Sequence, residues 1–429
     1  MSTATTALPD APSRRLPPTV YLLALGVFCL GTSEFMLAGL LPEIATDLHT
    51  DLPRAGLLIT AFAVGMMVGA PVMAVATLRL PPKTTLLAAG AVFGAAHLLP
   101  LIGHSFALVL LSRVIAAIAC AAFWAVGAVL AARIAGAGRT ARALAVMVGG
   151  LTLSNILGVP AGTLIGQHFG WRGAFVAVAA ATAVCLLLIA IGVPAVPVSG
   201  IGNLRQRIGA ELVALRQGRL WLALLTTAAF QAAVFCAFSY LAPLLTEVAG
   251  IGEKSVPTVL LLFGIGSFVG VTIGGRIADR NMLGNVFGSL LAMTGTLLLL
   301  LVLAGSGWWA AAAVFAFGAA GFSIAAALNG RVFAFAGTAP TLAAGINVSA
   351  FNLGNAVGPW LGGLVIGAGL GYRAPLWAAI GLGLLALGIA TASSIVEQRP
   401  VAEPASVPVT AREPGARGVS AEACAPTGC

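Results

Sequence analysis

Glu34 stands inside an apolar run covering residues 21–41 (YLLALGVFCLGTSEFMLAGLL), where an ionisable side chain has no bulk water to solvate it. A charge at the centre of a membrane helix costs roughly 2.5 to 3.5 kcal/mol on insertion scales, so the position demands a partner, a wet cavity or a bound proton. Arg113, deep in residues 110–122 (LLSRVIAAIACAA), is the second intramembrane charge. The two together could form a structural ion pair. They could also form a proton switch, because a nearby cation favours an ionised carboxylate whereas apolar burial favours the protonated acid. Glu34 is the only carboxylate within an apolar span, and on that ground the switch is the favoured reading.

The elements that must position these groups are membrane helices. Of the 429 residues 59% are hydrophobic and 8% charged, and the mean hydropathy is +1.04; a soluble domain carries far more charge. About twelve apolar stretches of roughly 20 residues are each long enough to cross the hydrocarbon core as a helix. They are expected near residues 20–41, 55–77, 84–103, 107–131, 143–166, 173–193, 220–245, 256–278, 284–305, 308–330, 342–368 and 374–395. The first follows Arg14 and Arg15 as a signal peptide would, but it is longer than an h-region and reads as a retained helix.

Lys and Arg collect in alternate loops. One set carries Arg79, Lys83, Arg133, Arg139, Arg142, Arg205, Arg207, Arg216, Arg219, Arg276, Arg280 and Arg331, the other only Arg54, Arg172, Lys254 and Arg373. The positive-inside rule makes the first set cytoplasmic, with both termini on that side. The net charge of +9 then follows from topology, and its dispersal over short loops argues against nucleic-acid binding. Without a Walker A sequence or a His, Cys or carboxylate cluster at metal spacing, no ATP, metal or other cofactor is expected. Cys29, Cys120, Cys185 and Cys236 read as small buried hydrophobes. Cys424 and Cys429 close a Pro, Ala and Gly-rich tail that reads as disordered, where a structural disulfide is not expected.

Hydrophobicity collapses between residues 194 and 219. There Leu204, Ile208, Leu212 and Leu215 form one helical stripe with Arg205, Arg207, Glu211 and Arg216 off it, the pattern of an amphipathic helix on the inner membrane surface. The expected organisation is an N-terminal tail (1–17), a six-helix bundle (18–193), this linker (194–219), a second bundle (220–395) and a C-terminal tail (396–429). The halves repeat at a shift of about 201: Pro42 matches Pro243, Phe62, Gly69 and Arg79 match Phe263, Gly270 and Arg280, and Asn155 and Gly158 match Asn355 and Gly358. A parallel duplication places a substrate site between the halves near the bilayer midplane. Glycines recur at four-residue spacing at 65/69, 158/162/166, 266/270/274 and 354/358/362. Small residues on one stripe let helix backbones approach closely, which serves static packing and re-formable contacts equally.

Several motifs resemble those of the major facilitator superfamily and, within it, the twelve-helix drug:proton antiporters. GTSEFMLAGLLPEIATDL (31–48) is similar to the first-helix signature of that group, and LLSRVIAAIACAA to its fourth-helix motif. GVPAGTLIGQHFGWRGAF (158–175) resembles its fifth-helix antiporter motif with the Gly-Trp-Arg loop that follows, and GGRIADR (274–280) its cytoplasmic loop motif. The resemblance covers residues 18–396 and implies an all-α integral membrane protein of twelve helices in two pseudosymmetric six-helix bundles. The first-half loop ATLRLPPKTTLL (76–87) departs from the pattern, with Leu78 where the family has aspartate, so the latch assigned to that aspartate rests on Asp279.

The resemblance implies roles for particular residues. Glu34 and Arg113 become the proton-coupling pair, Asp279 with Arg280 a conformational latch, and Gly158, Pro160 and Gly162 the part of the fifth span that blocks leak and sets the direction of exchange. Pro160 and Pro359 also each remove a helix hydrogen bond and make their spans bendable. Asn155, Asn347, Asn352 and Asn355 are costly in a membrane unless bonded to one another or to a ligand. Phe35, Trp124, Phe230, Gln231, Phe238 and Tyr240 are candidates for an amphipathic pocket, although such residues also serve as core or lipid-facing side chains. His97 and His104, near the outer end of the third span, read as interfacial.

The expected function is proton-coupled export of a small amphipathic compound from the bacterial inner membrane, by a chain able to work as a monomer. The segments 31–48, 55–71 and GVPAG look most similar to actinobacterial chloramphenicol resistance exporters, which makes chloramphenicol the expected substrate. A sugar or nucleoside exporter of the arabinose-efflux type is the alternative. A channel or receptor would leave Glu34 and Arg113 without a coupling role.

Overall fold

The computed structural model describes residues 16–103, 105–196, 218–336 and 340–398. The expected surface helix of the linker, both tails, Cys424, Cys429 and His104 lie wholly or largely outside the described residues. Among those described, the regular elements are all helices. The first half runs α1 (Pro18–Phe35), α2 (Leu37–Asp47), α3 (Leu52–Ala76), α4 (Pro82–Ile102), α5 (Phe106–Ala135), α6 (Thr140–Leu153), α7 (Val159–Phe169) and α8 (Trp171–Gly192). The second runs α9 (Gly218–Phe238), α10 (Val256–Arg280), α11 (Met282–Leu303), α12 (Trp308–Phe322), α13 (Ala325–Ala336), α14 (Pro340–Gly367) and α15 (Ala374–Gln398). Among the described residues, eleven helical stretches are long and apolar enough to cross a membrane. The 28-residue α14 is the twelfth long one, its hydropathy lowered by Asn347, Asn352 and Asn355.

Prolines set the breaks. The first crossing bends at Met36, between α1 and α2, where Gly39 N–H reaches only to the Met36 carbonyl at 3.0 Å; Pro42, three residues on, has no N–H to give and crowds the preceding turn. The seventh crossing breaks at Ser239–Tyr240, ahead of Pro243, which leaves the Ser239 carbonyl without its helical donor. In the fifth crossing, Pro160 is absorbed by a π turn, Ser154–Gly158, in which Val159 N–H bonds back to Ser154. Single π turns of this kind commonly mark functional places in a helix.

The glycine stripes all lie inside the halves. A methyl group at Gly158 would meet the Thr32 hydroxyl at 2.1 Å, one at Gly162 the Met36 Cβ at 3.0 Å and one at Gly166 the Leu40 Cδ2 at 2.3 Å, so the fifth crossing is laid along the first. Gly354, Gly358 and Gly362 lay the eleventh along the seventh in the same way, against the backbone of Ala228 and Ala232 and the ring of Tyr240. Gly65 and Gly69 seat α3 on Ala117 and Ala121 of α5, while Gly266, Gly270 and Gly274 seat α10 on Phe315, Ala319 and Ser323. The repeat is thus a repeat of helix seams.

Other contacts join the halves. Along α3 and α14, the Thr60 hydroxyl donates to the Ala356 carbonyl at 3.2 Å and the Ser349 hydroxyl to the Met67 carbonyl at 2.9 Å. Gly264 of α10 faces the backbone of Asn155 and Ile156 in the π turn. At the end of the bundle that carries Asp51, the Gln167 amide donates to the Glu253 carbonyl at 2.7 Å. Two aromatic residues cross over, Phe35 joining the apolar core of the second half and Tyr240 that of the first.

Candidate functional site

The bend at Met36 leaves Ser33 and Glu34 in the last turn of α1, at the seam of the two bundles. Glu34 is half-buried, and its Oε1 accepts a hydrogen bond from the Asn355 Nδ2 at 3.3 Å. Asn355 in turn accepts one from the Gln231 amide at 2.8 Å. A polar thread therefore runs from α9 through α14 to α1, across the divide between the halves. A carboxylate with an amide donor beside it is cheaper to keep in a membrane than an isolated one.

Arg113 is completely buried, yet no oxygen of Glu34 lies within ion-pair distance of it. The guanidinium is instead held on Ser33: Nη1 donates to the Ser33 Oγ at 2.8 Å and Nη2 to the Ser33 carbonyl at 3.1 Å. Its face covers the Phe62 ring at 4.3 Å, a cation–π contact strengthened by the dry surroundings. Nε has no partner among the described residues. The expected pairing of Glu34 with Arg113 is thus replaced here by adjacency, because the serine between them supplies the guanidinium with two acceptors.

His97 corrects the expectation of an interfacial side chain. It is 1% exposed, its ring tilted against those of Phe93 and Phe175 at 4.4 and 5.5 Å, with Nε2 2.6 Å from the Ser33 Oγ and Nδ1 2.7 Å from the Phe93 carbonyl. Neither it nor Ser33 was singled out as a site residue from sequence. The signal was present in Ser33 as the neighbour of Glu34, and in His97 as the one ionisable group of an otherwise apolar 84–103 run.

The remaining candidates are dispersed. Asn347 donates to the Asn329 Oδ1 at 2.7 Å, Asn352 to the Val348 carbonyl at 2.9 Å and Asn155 to the Leu151 carbonyl at 3.4 Å. Asn347 and Asn352 each keep a buried carbonyl oxygen without a partner among the described residues. Phe35 faces Phe235 at 5.8 Å, and Phe235, Phe238, Phe263 and Phe317 continue as an aromatic ladder. Phe230 is buried and Trp124 half-buried.

Tyr240, expected as a pocket wall, fills the seam instead. Its hydroxyl donates to the Pro359 carbonyl at 2.8 Å and lies in the hollows left by Gly56 and Gly363. Asp279 and Arg280 are exposed at the opposite end of the bundle from Asp51, with no side-chain bond to a described residue. The Gly-Trp-Arg loop has a clear structural job: Trp171 Nε1 and Arg172 Nη1 both donate to Asp47, at 3.1 and 2.5 Å, and Arg172 Nε donates to the Pro100 carbonyl.

Two bundles of crossings related by an internal repeat, with a polar site at their seam, are the architecture of membrane transporters built from parallel repeats. The sequence pattern of the Major Facilitator Superfamily matches residues 23–340, and the chain belongs to that superfamily. It is 41% identical over 372 residues to the chloramphenicol resistance protein of Streptomyces lividans, covering 85% of this chain and 93% of that one. It is 37% identical to the inner membrane transport protein YdhP of Escherichia coli K12, covering 85% and 93%. It is 31% identical to the putative transporter AraJ of the same organism, covering 82% and 88%. Among solved structures, a bacterial homolog of the human lysosomal transporter Spinster, crystallised inward-facing and unoccupied, superposes with a TM-score of 0.70 at 18% identity, over 90% of this chain and 99% of that one. The protein is therefore a multi-pass membrane transporter and not an enzyme.

Proposed function

We propose that this transporter exports a small amphipathic drug in exchange for protons, with chloramphenicol as the first substrate to test and Glu34 as the proton site. The observation that carries this reading is the position of Glu34: a carboxylate at the seam, bonded across it to Asn355, one residue from the acceptors that hold Arg113. Protonation would weaken its hold on the Asn355 donor, since a charged acceptor makes the stronger hydrogen bond. Loss of that proton would give Arg113 a carboxylate to turn to, and Arg113 has a bare Nε with which to meet it. One charge change would then alter both the inter-bundle bond and the N-terminal bundle, the kind of local event that biases a two-state element.

Orientation follows from the positive-inside pattern, with the Arg79 and Arg280 end cytoplasmic. In that frame the inter-bundle bonds near Asp51 close the outer side, and the exposed, unbonded state of Asp279 suits a latch released on the inner side. The driving force suffices. One proton moving through 100 mV gains about 2.3 kcal/mol, and each pH unit adds about 1.4 kcal/mol, enough together for a gradient of a few hundredfold in a neutral solute. Chloramphenicol is neutral and amphipathic, and the 41% identity to the Streptomyces lividans protein favours it over the sugar or nucleoside alternative.

Expression in an export-deficient host tests the substrate. Raised tolerance to chloramphenicol, abolished by a protonophore, is the expected result. Unchanged tolerance together with altered sugar efflux would replace this reading with the alternative.

A further inference from the structure

Hydrogen-bond bookkeeping around Ser33 fixes which way each proton points. Arg113 has only donors, so its Nη1 must donate to the Ser33 Oγ, 2.8 Å away. The serine's single hydroxyl proton is then free for its other neighbour, the His97 Nε2 at 2.6 Å. The Phe93 carbonyl can only accept, so His97 Nδ1 carries a proton and donates it there at 2.7 Å; a second proton on Nε2 would set an imidazolium beside the Arg113 guanidinium, so Nε2 is the acceptor of the Ser33 hydroxyl. The imidazole is neutral, and the Ser33 hydroxyl is satisfied as acceptor and as donor, while the Arg113 Nε keeps no partner. Without the histidine, the serine hydroxyl proton would be free to turn toward Glu34 or its own helix.

The groups facing His97 from each packed element are few. From α1 come Ser33 and, one residue on, Glu34; from α5 comes Arg113; from α8 come the rings of Phe175 and, behind it, Trp171. Arg113 and Glu34 are the only charges of this set, and Asp47 with Arg172 lie beyond Trp171 at the Asp51 end.

We propose that His97 is a positioning residue of the coupling site: as a neutral acceptor it fixes the Ser33 hydroxyl so that the serine oxygen presents lone pairs to Arg113 and keeps the guanidinium parked beside Glu34 instead of on it. This rests on Glu34 being the proton site. A parked arginine leaves the carboxylate free of an ion pair and so open to a proton, while keeping the cation at the same site. Without the histidine acceptor the guanidinium loses its preferred berth and settles on Glu34. A permanent ion pair favours the ionised carboxylate and holds its proton off until the medium is more acid.

The test uses the full-length transporter in proteoliposomes, with chloramphenicol flux measured against pH, downhill and driven by an imposed proton gradient. Four forms are compared beside wild type: His97→Leu, His97→Gln, Ser33→Ala and the double His97→Leu/Ser33→Ala, each normalised to folded protein by size-exclusion chromatography. His97→Leu is expected to retain downhill flux, lose about tenfold in gradient-driven accumulation, and move the half-maximal pH of driven transport to acid by about one unit or more. His97→Gln, whose amide oxygen can replace the Nε2 acceptor, restores most of the wild-type profile. Ser33→Ala reproduces the His97→Leu shift and the double variant adds nothing further, because both changes break one relay.

A histidine that serves only packing would lower the folded yield and the maximal rate with the pH midpoint unmoved, and Leu would then be tolerated better than Gln. That outcome, or additive effects in the double variant, overturns the proposal. If His97→Leu does not fold, the Ser33→Ala midpoint decides alone, and an unshifted value rejects the relay. A wild-type protein with no proton-driven flux at all would instead sink the reading of Glu34, a result distinguishable from failure of the histidine proposal.

Discussion

The two halves of the molecule share a scaffold and differ in what they place at its centre. In both, the first crossing breaks just ahead of a proline, the fifth lies along the first on a four-residue glycine stripe, and the second lies along the fourth on another. At the depth of the break, however, the N-terminal half holds Ser33, Glu34, His97 and Arg113, while the C-terminal half holds Val234, Phe235 and an aromatic ladder through Phe238, Phe263 and Phe317. The seams differ too. Glycines of the C-terminal α10 stripe press on backbone: a methyl group would come within 2.2 Å of the Phe315 carbonyl at Gly266, 2.0 Å of the Ala319 carbonyl at Gly270 and 1.8 Å of the Ser323 carbonyl at Gly274, whereas on the α14 stripe Gly354 and Gly362 meet the Gln231 Cβ and the Tyr240 ring first. Those of the N-terminal half meet side chains at Gly65, Gly69, Gly158, Gly162 and Gly166, Gly150 against the Ala24 carbonyl being an exception. The C-terminal bundle closes its α10 seam backbone to backbone around an apolar centre. The other keeps a layer of side chains between its helices and houses the charge.

This contrast can be broken most forcefully at the repeat pair Gly69 and Gly270. Gly270→Ala drives a methyl group into a carbonyl that cannot move aside and is expected to cost about 3 kcal/mol or more, whereas Gly69→Ala, facing the Ala121 methyl at 3.2 Å, is expected to cost under about 1 kcal/mol. Thermal unfolding of the two purified variants in one detergent measures the difference. Equal losses would remove the distinction between the bundles.

A smaller effect sharpens the division at the seam, where Tyr240 lends its ring to the opposite core. Tyr240→Phe, which only removes the hydroxyl bonded to the Pro359 carbonyl, is expected to cost about 1 kcal/mol. Tyr240→Ala is expected to raise the accessibility of a cysteine placed at Gly363 to impermeant thiol reagents from the Asp51 side. Unchanged labelling would show that the tyrosine does not seal that end.

Much of this architecture was legible in the sequence because it rests on periodicity. Helix-length apolar runs gave the crossings, the shift near 201 gave the repeat, and the lone carboxylate in the first run pointed at Glu34. The glycine stripes were equally visible, but spacing cannot tell which neighbour a stripe faces; the structure puts all four within bundles, and glycines off the stripe register, Gly56, Gly264 and Gly363 among them, meet the other half. A position near the end of an apolar run fixes depth only to within a turn, so the sequence sets His97 at the interface whereas its side chain points inward to Ser33. The Glu34–Arg113 pair was inferred from opposite charge alone. Which acceptor a guanidinium prefers depends on rotamers, and the nearer oxygens belong to Ser33.

The central claim is that proton coupling resides in Glu34 of the N-terminal half, with no counterpart in the C-terminal half, where Phe235 occupies the repeat position. Purified Glu34→Gln protein in proteoliposomes loaded with a pH-sensitive dye measures it directly. The account predicts that chloramphenicol still equilibrates down its own gradient, while accumulation driven by a proton gradient and drug-induced proton movement both disappear. Undiminished uphill accumulation by Glu34→Gln would contradict it.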